Sequence, residues 1–476
     1  MNRRELLAGV VGSAVTIDNS IASPMATNAS ALDERAWARL DAQIQDQWAR
    51  YISRATEEEI RKDSTGKLMY LPFPYISPSA PGSIYRFMFS WDTDFISRAL
   101  IAQGLVDLAR NHLLNHFFMI DRFDFMPNAN YSDLTTRSQT PLIADTTWRY
   151  FQATGDRDLL LQAYPRLKQS YRRYWTAAHH QTPIGLATNH DSGDARLAPR
   201  LAAEAETGLD WTPIYAGDVR RCVPLVTNCA LVRYAEVLAA IARTLGETKD
   251  AKCFAEEATG RAALIRKFCW SEAQGFFLEY DFVAGKQLPC LSDCAFWTLW
   301  AGVASAGQAR QLVRNLKRIE QPFGLSCTDK TYSLPTPTVD YGPVCRLRPD
   351  GTPATNEGAS LGGAEPMQWM YPAGWAPSHV IAVEGLDRYG FKADSTRITR
   401  KFLGTMVQQY ERTGQLWEKY NVVDGSLTMP NARCGNIWMQ GWTAAAVALL
   451  GRRIFRGQSL AFVENDAHAA PEVLYL

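Results

Sequence analysis

Along most of this chain apolar residues recur at three- and four-residue steps, and strand-like alternation is scarce. From Leu32 onward that period marks helices over 95–119, 142–151, 159–177, 223–245, 252–268, 379–386 and 396–410. Thr154-Gly155-Asp156 and Leu245-Gly246-Glu247 each stop one helix and start another. The short run 275–280 is the best candidate for a small hairpin. Between the helices lie irregular segments, 79–82, 126–140, 191–215 and 325–377, rich in Gly, Pro, Asn and aromatic residues. Long loops are costly to order and uncommon unless they serve a function. Helices alternating with such loops predict an all-α ring of helix hairpins with a site at its mouth. No internal repeat or linker divides the chain. The reading is one domain over 32–455, followed by a loosely packed tail over 456–476.

Hydrophobic residues make up 46% of the chain, ample for a large core, and the net charge is +1. No block of like charges follows the first few residues, which argues against nucleic acid as a partner. Arg3-Arg4 opens a twin-arginine leader, with an apolar stretch over 6–17 and small residues at Ser20 and Ala22 for cleavage. Residues 1–22 therefore read as an export signal to a periplasm or cell surface. The apolar stretch is too short to span a bilayer, and no later segment is uninterruptedly apolar for about 18 residues. No stable membrane insertion is expected, and nothing sets an oligomeric state. Nine cysteines include no CxxC pair, and seven histidines show no metal-ligand spacing. Cys222 and Cys229 stand at the helical spacing of buried thiols. Reduced cysteines are the expectation, with one disulfide left open, and neither metal nor cofactor is expected.

Four motifs carry the chemistry. They are the run from Pro81 to Trp91-Asp92, Glu206-Thr207-Gly208-Leu209-Asp210, the run Gln368-Trp369-Met370 through Gly374-Trp375-Ala376-Pro377, and Trp417-Glu418-Lys419-Tyr420-Asn421-Val422. Each joins carboxylates or amides to aromatic rings, the second through Trp211 that follows it, in a chain with 14 Trp and 19 Tyr. Aromatic faces cover the C–H side of a sugar ring, and carboxylates take its hydroxyls or act on it. Asp210 and Glu418 are lone acids far apart in sequence, as a glycosidase pair usually is.

At these motifs the chain resembles the α,α-trehalases of glycoside hydrolase family 37, from roughly Tyr70 to Leu450. Pro81-Gly82 and Trp91-Asp92 are similar to the family's PGGRF and WD. Pro127-Asn128-Ala129-Asn130 and Arg137-Ser138-Gln139-Thr140-Pro141 resemble its PNGN and RSQPP, and residues 206–210 its ESGWD. Residues 368–377 resemble its QWDxPxGWAP, 418–422 its EKYDV, and Gly441-Trp442-Thr443 its GWT. The departures are Ile84 in place of an arginine, with Arg86 two residues on; Met370 in place of an aspartate; and Asn189-His190-Asp191 in place of Arg-Pro-Glu. The resemblance implies an (α/α)6 barrel whose glucose-binding side is kept and whose leaving-group side is altered.

It also implies roles. Asp210 would be the general acid and Glu418 the general base of an inverting hydrolysis, which needs the two carboxyls about 6.5–9.5 Å apart. Leu209 and Trp211 are apolar neighbours that would keep Asp210 protonated. Asp92 would bind sugar hydroxyls, with Trp91 as platform; the alternative is an N-cap for a helix beginning near Phe95. Asn128, Arg137 and Gln139 would donate to hydroxyls or bond within their loops. Trp369 and Trp375 would line the pocket or belong to the core. Gly208 would let the backbone approach the sugar, Asp191 would bind substrate or support the acid, and Glu206 would support the acid. Trehalose is the expected substrate. A family 63-type hydrolase of glucosylglycerate, mannosylglycerate or another small α-glycoside is the alternative, with Arg86 or Arg137 meeting an acidic leaving group. A non-catalytic sugar-binding barrel and a polysaccharide lyase fit less well.

Overall fold

The computed structural model describes residues 32–79, 85–194, 197–333, 367–429 and 436–460. The expected leader, Pro81-Gly82, Ile84 and the tail from 461 lie outside the described residues.

Helices dominate. Apart from a short helix at Glu57–Lys62, they are α1 (Glu34–Trp48), α2 (Ser90–Ala102), α3 (Val106–Phe123), α4 (Ile143–Thr154), α5 (Arg157–Ser170), α6 (Pro199–Ala205), α7 (Leu225–Leu245), α8 (Thr248–Cys269), α9 (Trp297–Trp300), α10 (Ala306–Arg314), α11 (Ala376–Arg388), α12 (Lys392–Thr413) and α13 (Gly441–Phe455). Helices α2, α4, α7, α9, α11 and α13 pack in that order and close on one another as an inner ring. Outside it, α3 lies on α2, α5 on α4, α8 on α7, α12 on α11 and α1 on α13. The fold is an (α/α)6 barrel.

Helix α6 lies inside the segment 191–215 expected to be irregular, the α-helix expected over 159–177 ends at Ser170, and the first inner helix differs in two ways. The helix expected over 95–119 is two helices, α2 and α3, broken at Gly104, and α2 begins at Ser90 rather than near Phe95. An inner helix is buried on nearly every side, so it lacks the polar face that makes a helical period readable. Ser90 through Leu100 are all buried. Helix α7 has the length and hydropathy of a membrane span, yet 94% of that window is buried inside the barrel.

The inner helices are tied by buried ion pairs. Glu384 of α11 binds Arg98 of α2 and Arg149 of α4, and Asp145 of α4 binds Arg149 at 2.6 Å and Arg233 of α7 at 3.6 Å. Losing one member of such a network strands a buried charge. Helix α13 runs close to α1 because Gly451 has no side chain: a Cβ there would overlap the Trp37 indole, whose N–H reaches Val447 O at 3.1 Å. The first tail residues dock rather than drift: Leu460 is buried and its carbonyl accepts from Arg149 at 2.9 Å. The run 275–280 is not a hairpin by itself: Phe276–Phe277 pairs with Trp270–Ser271, and Tyr280–Asp281 with Lys286–Gln287 and Cys222–Val223. All seven described cysteines are free.

Candidate active site

Segments from four parts of the chain converge on a cavity of about 740 Å³. One wall depends on a short antiparallel pair, Ala373–Trp375 with Lys419–Asn421, in which Trp375 faces Lys419. That pairing brings the third and fourth motifs together across more than forty residues of sequence. Asp92, from the first turn of α2, and Asp210, from the loop after α6, line the same cavity as Glu418. Ten of the expected residues, Asp210, Glu418, Trp91, Asp92, Asn128, Arg137, Gln139, Gly208, Trp369 and Trp375, reach the cavity wall; Asp191 does not.

The floor is aromatic. Trp369 and Trp375 stack with ring centroids 3.8 Å apart and an interplanar angle of 10°. Trp442 meets Trp375 edge-on at 5.6 Å and Trp91 at 5.7 Å. These indoles are almost wholly buried and also form the cavity wall, so pocket and core are the same residues here. Trp442 lay in a motif noticed in the sequence but was not expected in the site.

Asp92 is not a helix N-cap. That position is Phe89, and Asp92 lies inside the first turn. Burial pushes its carboxyl up to about 8, opposed by its own backbone N–H and reinforced by the charges of Glu418 and Asp210. Two carboxyls therefore act on the third, Asp92. Glu418 is also ion-paired with Lys419, its neighbour in sequence, whose side chain is fully buried.

Arg137 is already engaged. Its Nη1 donates to Asp191 at 2.9 Å and Asp194 at 2.8 Å, while its Nε is buried with no partner among the described residues. Asp191, expected to bind substrate, instead anchors this arginine and accepts from the Thr136 hydroxyl at 2.8 Å. Asn128 and Gln139 hold local structure: Asn128 Nδ2 donates to Ser138 O at 3.4 Å, and Gln139 Oε1 accepts from Trp91 N at 3.2 Å. Gly208 has φ +80°, and a Cβ there would stand 2.8 Å from the Trp91 ring.

Glu206 is fully buried away from the cavity wall. It accepts from Asn189 Nδ2 at 3.0 Å, His190 N at 2.8 Å and the Tyr174 hydroxyl, and bonds His180 at 2.9 Å. Burial opposes its ionisation, but His180, Tyr174 and the His190 N–H outweigh burial and hold its carboxyl below the usual range. Asn189, where the trehalase pattern has arginine, is spent on this anchor. Met370 is buried with Leu201, Trp211 and Met367, so the missing aspartate is replaced by packing beside the cavity rather than by open space. Arg86 reaches the wall and is ion-paired with Asp63. The structure adds one residue with no sequence signal: Glu204, buried behind Asp210, whose carboxyl burial pushes up to about 8.

Comparison with known proteins bears on the fold and the family. The family model for mannosylglycerate hydrolase MGH1-like glycoside hydrolase domains matches residues 84–443. A probable trehalase of Saccharomyces cerevisiae is 26% identical over 438 residues, covering 79% of this chain and 52% of that protein. The chain thus spans about half the length of such yeast relatives. The periplasmic trehalase of Escherichia coli O1:K1 / APEC is 25% identical over 441 residues, 82% of this chain and 70% of that one. Among solved structures, neutral trehalase from Saccharomyces cerevisiae superposes with a TM-score of 0.66 at 22% identity, covering 80% and 73% of the two chains. The family 63 mannosylglycerate hydrolase of Thermus thermophilus superposes at 0.58 and 18% identity, covering 86% and 99%. The chain belongs to the MGH1-like glycoside hydrolase family.

Proposed function

We propose that this member of the MGH1-like glycoside hydrolase family cleaves trehalose with inversion, releasing two glucose molecules. The observation that carries the reading is the meeting of Asp210 and Glu418, from remote segments, on one aromatic-floored cavity. In the proposed reaction Asp210 gives its proton to the glycosidic oxygen. Glu418 takes a proton from the water that attacks the anomeric carbon from the opposite face. The C1–O bond breaks as the water–C1 bond forms, and the proton balance is restored through solvent. Asp92 and Trp91 are proposed to hold the glucose that is attacked.

Charge favours a neutral leaving group. Arg86 and Arg137 are the cationic side chains among the described wall residues. Arg86 is neutralised by Asp63, and Arg137 by Asp191 and Asp194. On the same wall Asp92 and Asp210 are protonated in the proposed reaction, and Glu418 is paired with Lys419. A second glucose suits that balance better than a carboxylate. The second reading, a glycerate glycoside, is favoured by the family match and by the unpartnered Nε of Arg137.

Sugar release from trehalose, glucosylglycerate, mannosylglycerate, kojibiose and maltose, with Asp210→Asn as blank, tests both. Trehalose turnover abolished in the variant supports the first reading. Turnover of a glycerate glycoside with trehalose inert replaces it by the second. We also propose that residues 32–455 form one catalytic unit, exported under the direction of Arg3-Arg4. Retention of a reporter fused to residues 1–22 in the cytoplasm would refute the export.

A further inference from the structure

The loop that carries Asp210 is held in an unfavourable backbone shape. Trp211, the next residue, has φ +60°, a left-handed conformation that a bulky side chain seldom adopts. Such a conformation persists only where surrounding contacts over-determine it. On the cavity side the contacts come from the third motif: Gln368 Nε2 donates to Asp210 O at 3.2 Å, Trp369 N to Trp211 O at 3.3 Å, and the Thr212 hydroxyl to Trp369 O at 3.2 Å. On the inner side Glu204 is an anchor: its Oε1 accepts the Thr212 N–H at 3.2 Å.

Glu204 is an unusual residue to find there. It is 2% exposed, in a short helix, and its side chain forms no ion pair among the described residues. A carboxyl buried without an opposing charge is costly, and an apolar residue would pack the space more cheaply. Its backbone belongs to the same loop: Glu204 O accepts from Thr207 N at 2.9 Å and from the Thr207 hydroxyl at 2.7 Å, and that hydroxyl accepts from Leu209 N at 3.0 Å. One residue therefore grips both ends of the 207–212 segment, with Asp210 between them.

We propose that Glu204 is a positioning residue for Asp210, fixing from inside the protein the left-handed turn on which the acid stands. It touches no substrate; it acts through the backbone of Thr212 and Thr207. The proposal rests on Asp210 being the general acid. Buried like this, Glu204 also needs to be uncharged. Burial, with a smaller contribution from the Asp210 charge, pushes its carboxyl up to about 8, against the pull of the Thr212 and Trp211 N–H groups and Arg200.

A fluoride leaving group departs without a proton, so α-D-glucosyl fluoride reports on the site while bypassing the acid. The kcat values of Glu204→Leu, Glu204→Asp and Glu204→Gln are measured on trehalose and on the fluoride, beside Asp210→Asn. A misplacement of about 1 Å costs up to about a hundredfold in rate. Glu204→Leu and Glu204→Asp, which cannot reach Thr212, are expected to lose about ten- to hundredfold on trehalose. On the fluoride they should stay within about twofold, and Glu204→Gln, which keeps an acceptor oxygen, should restore most of the trehalose rate. Equal losses on both substrates, or none, overturn the proposal; if the leucine variant does not fold, the aspartate variant decides alone. Should Asp210→Asn itself keep trehalose activity, or lose both substrates equally, the acid assignment fails instead. If glycerate glycosides prove to be the substrates, the same variants are read on those and on the fluoride of the hexose released.

Discussion

The buried ammonium of Lys419 is paired with the carboxylate of Glu418, the residue before it, and also lies 5.0 Å from the centre of the Trp375 ring. Neighbours in a strand point to opposite faces. Here the strand begins at Lys419, leaving Glu418 free to turn back while its N–H bonds Ile437 O at 2.8 Å. Lys419→Met removes the cation and strands a buried carboxylate, a loss of about 3–5 kcal/mol for one partner of a buried pair. Calorimetry should find a lower Tm. Adding Glu418→Gln should recover part of that stability without recovering activity, and the double-mutant cycle gives the coupling. An unchanged Tm in Lys419→Met would mean that the pair contributes nothing.

Gly208 sits where a side chain would strike Trp91 and where φ is +80°. Gly208→Ala therefore adds backbone strain to a collision with a rigid indole, a combined cost of about 1–3 kcal/mol. Trp91 is also part of the proposed sugar platform, so its displacement should raise KM as well as lower Tm. Alanine tolerated in both measurements would remove Gly208 from any role beyond turn geometry.

Acid and base functions contribute about 10²–10⁴-fold each. Asp210→Asn and Glu418→Gln are expected to lose activity on that scale while keeping the circular dichroism of the parent. An inverting reaction at an α-glycoside must release the attacked glucose first as the β-anomer. Proton NMR during early turnover distinguishes it from the α-anomer that retention would give.

The barrel was legible in the sequence because most outer helices, α12 among them, show an amphipathic stripe. Inner helix α2 did not show where it begins, since burial on nearly every side erases the stripe. The cavity wall was legible where aromatic rings adjoin carboxylates or amides in irregular segments. Two kinds of residue escaped. Asp191, expected as a substrate ligand, and Glu206, expected to support the acid, serve as anchors for Arg137 and for the 189–190 segment, a difference of direction that spacing cannot express. Glu204 and Lys419 act through partners that only folding brings near: the 212 backbone and the Trp375 ring.

Asp92 makes the stability of this protein depend on pH with a definite sign. Its carboxyl is pushed from an ordinary 3.8 up to about 8, first by burial and then by the charges of Glu418 and Asp210. Between those values the native state keeps a proton that the unfolded chain has lost. The stability from this group is therefore complete below about 3.8 and is lost as pH rises towards 8, by up to about 1.4 kcal/mol per pH unit. Asparagine has the same shape and does not titrate. Urea unfolding of the parent and of Asp92→Asn at pH 5, 6.5 and 8 should show the variant gaining on the parent at each step. A constant gap would mean that Asp92 is ionised in the native state throughout. The variant should still lose turnover at every pH, because a neutral amide cannot reproduce the hydrogen bonds a carboxyl makes to sugar hydroxyls. Stability gained and activity lost in one substitution is the pattern of a carboxyl kept in a costly place for its work on substrate.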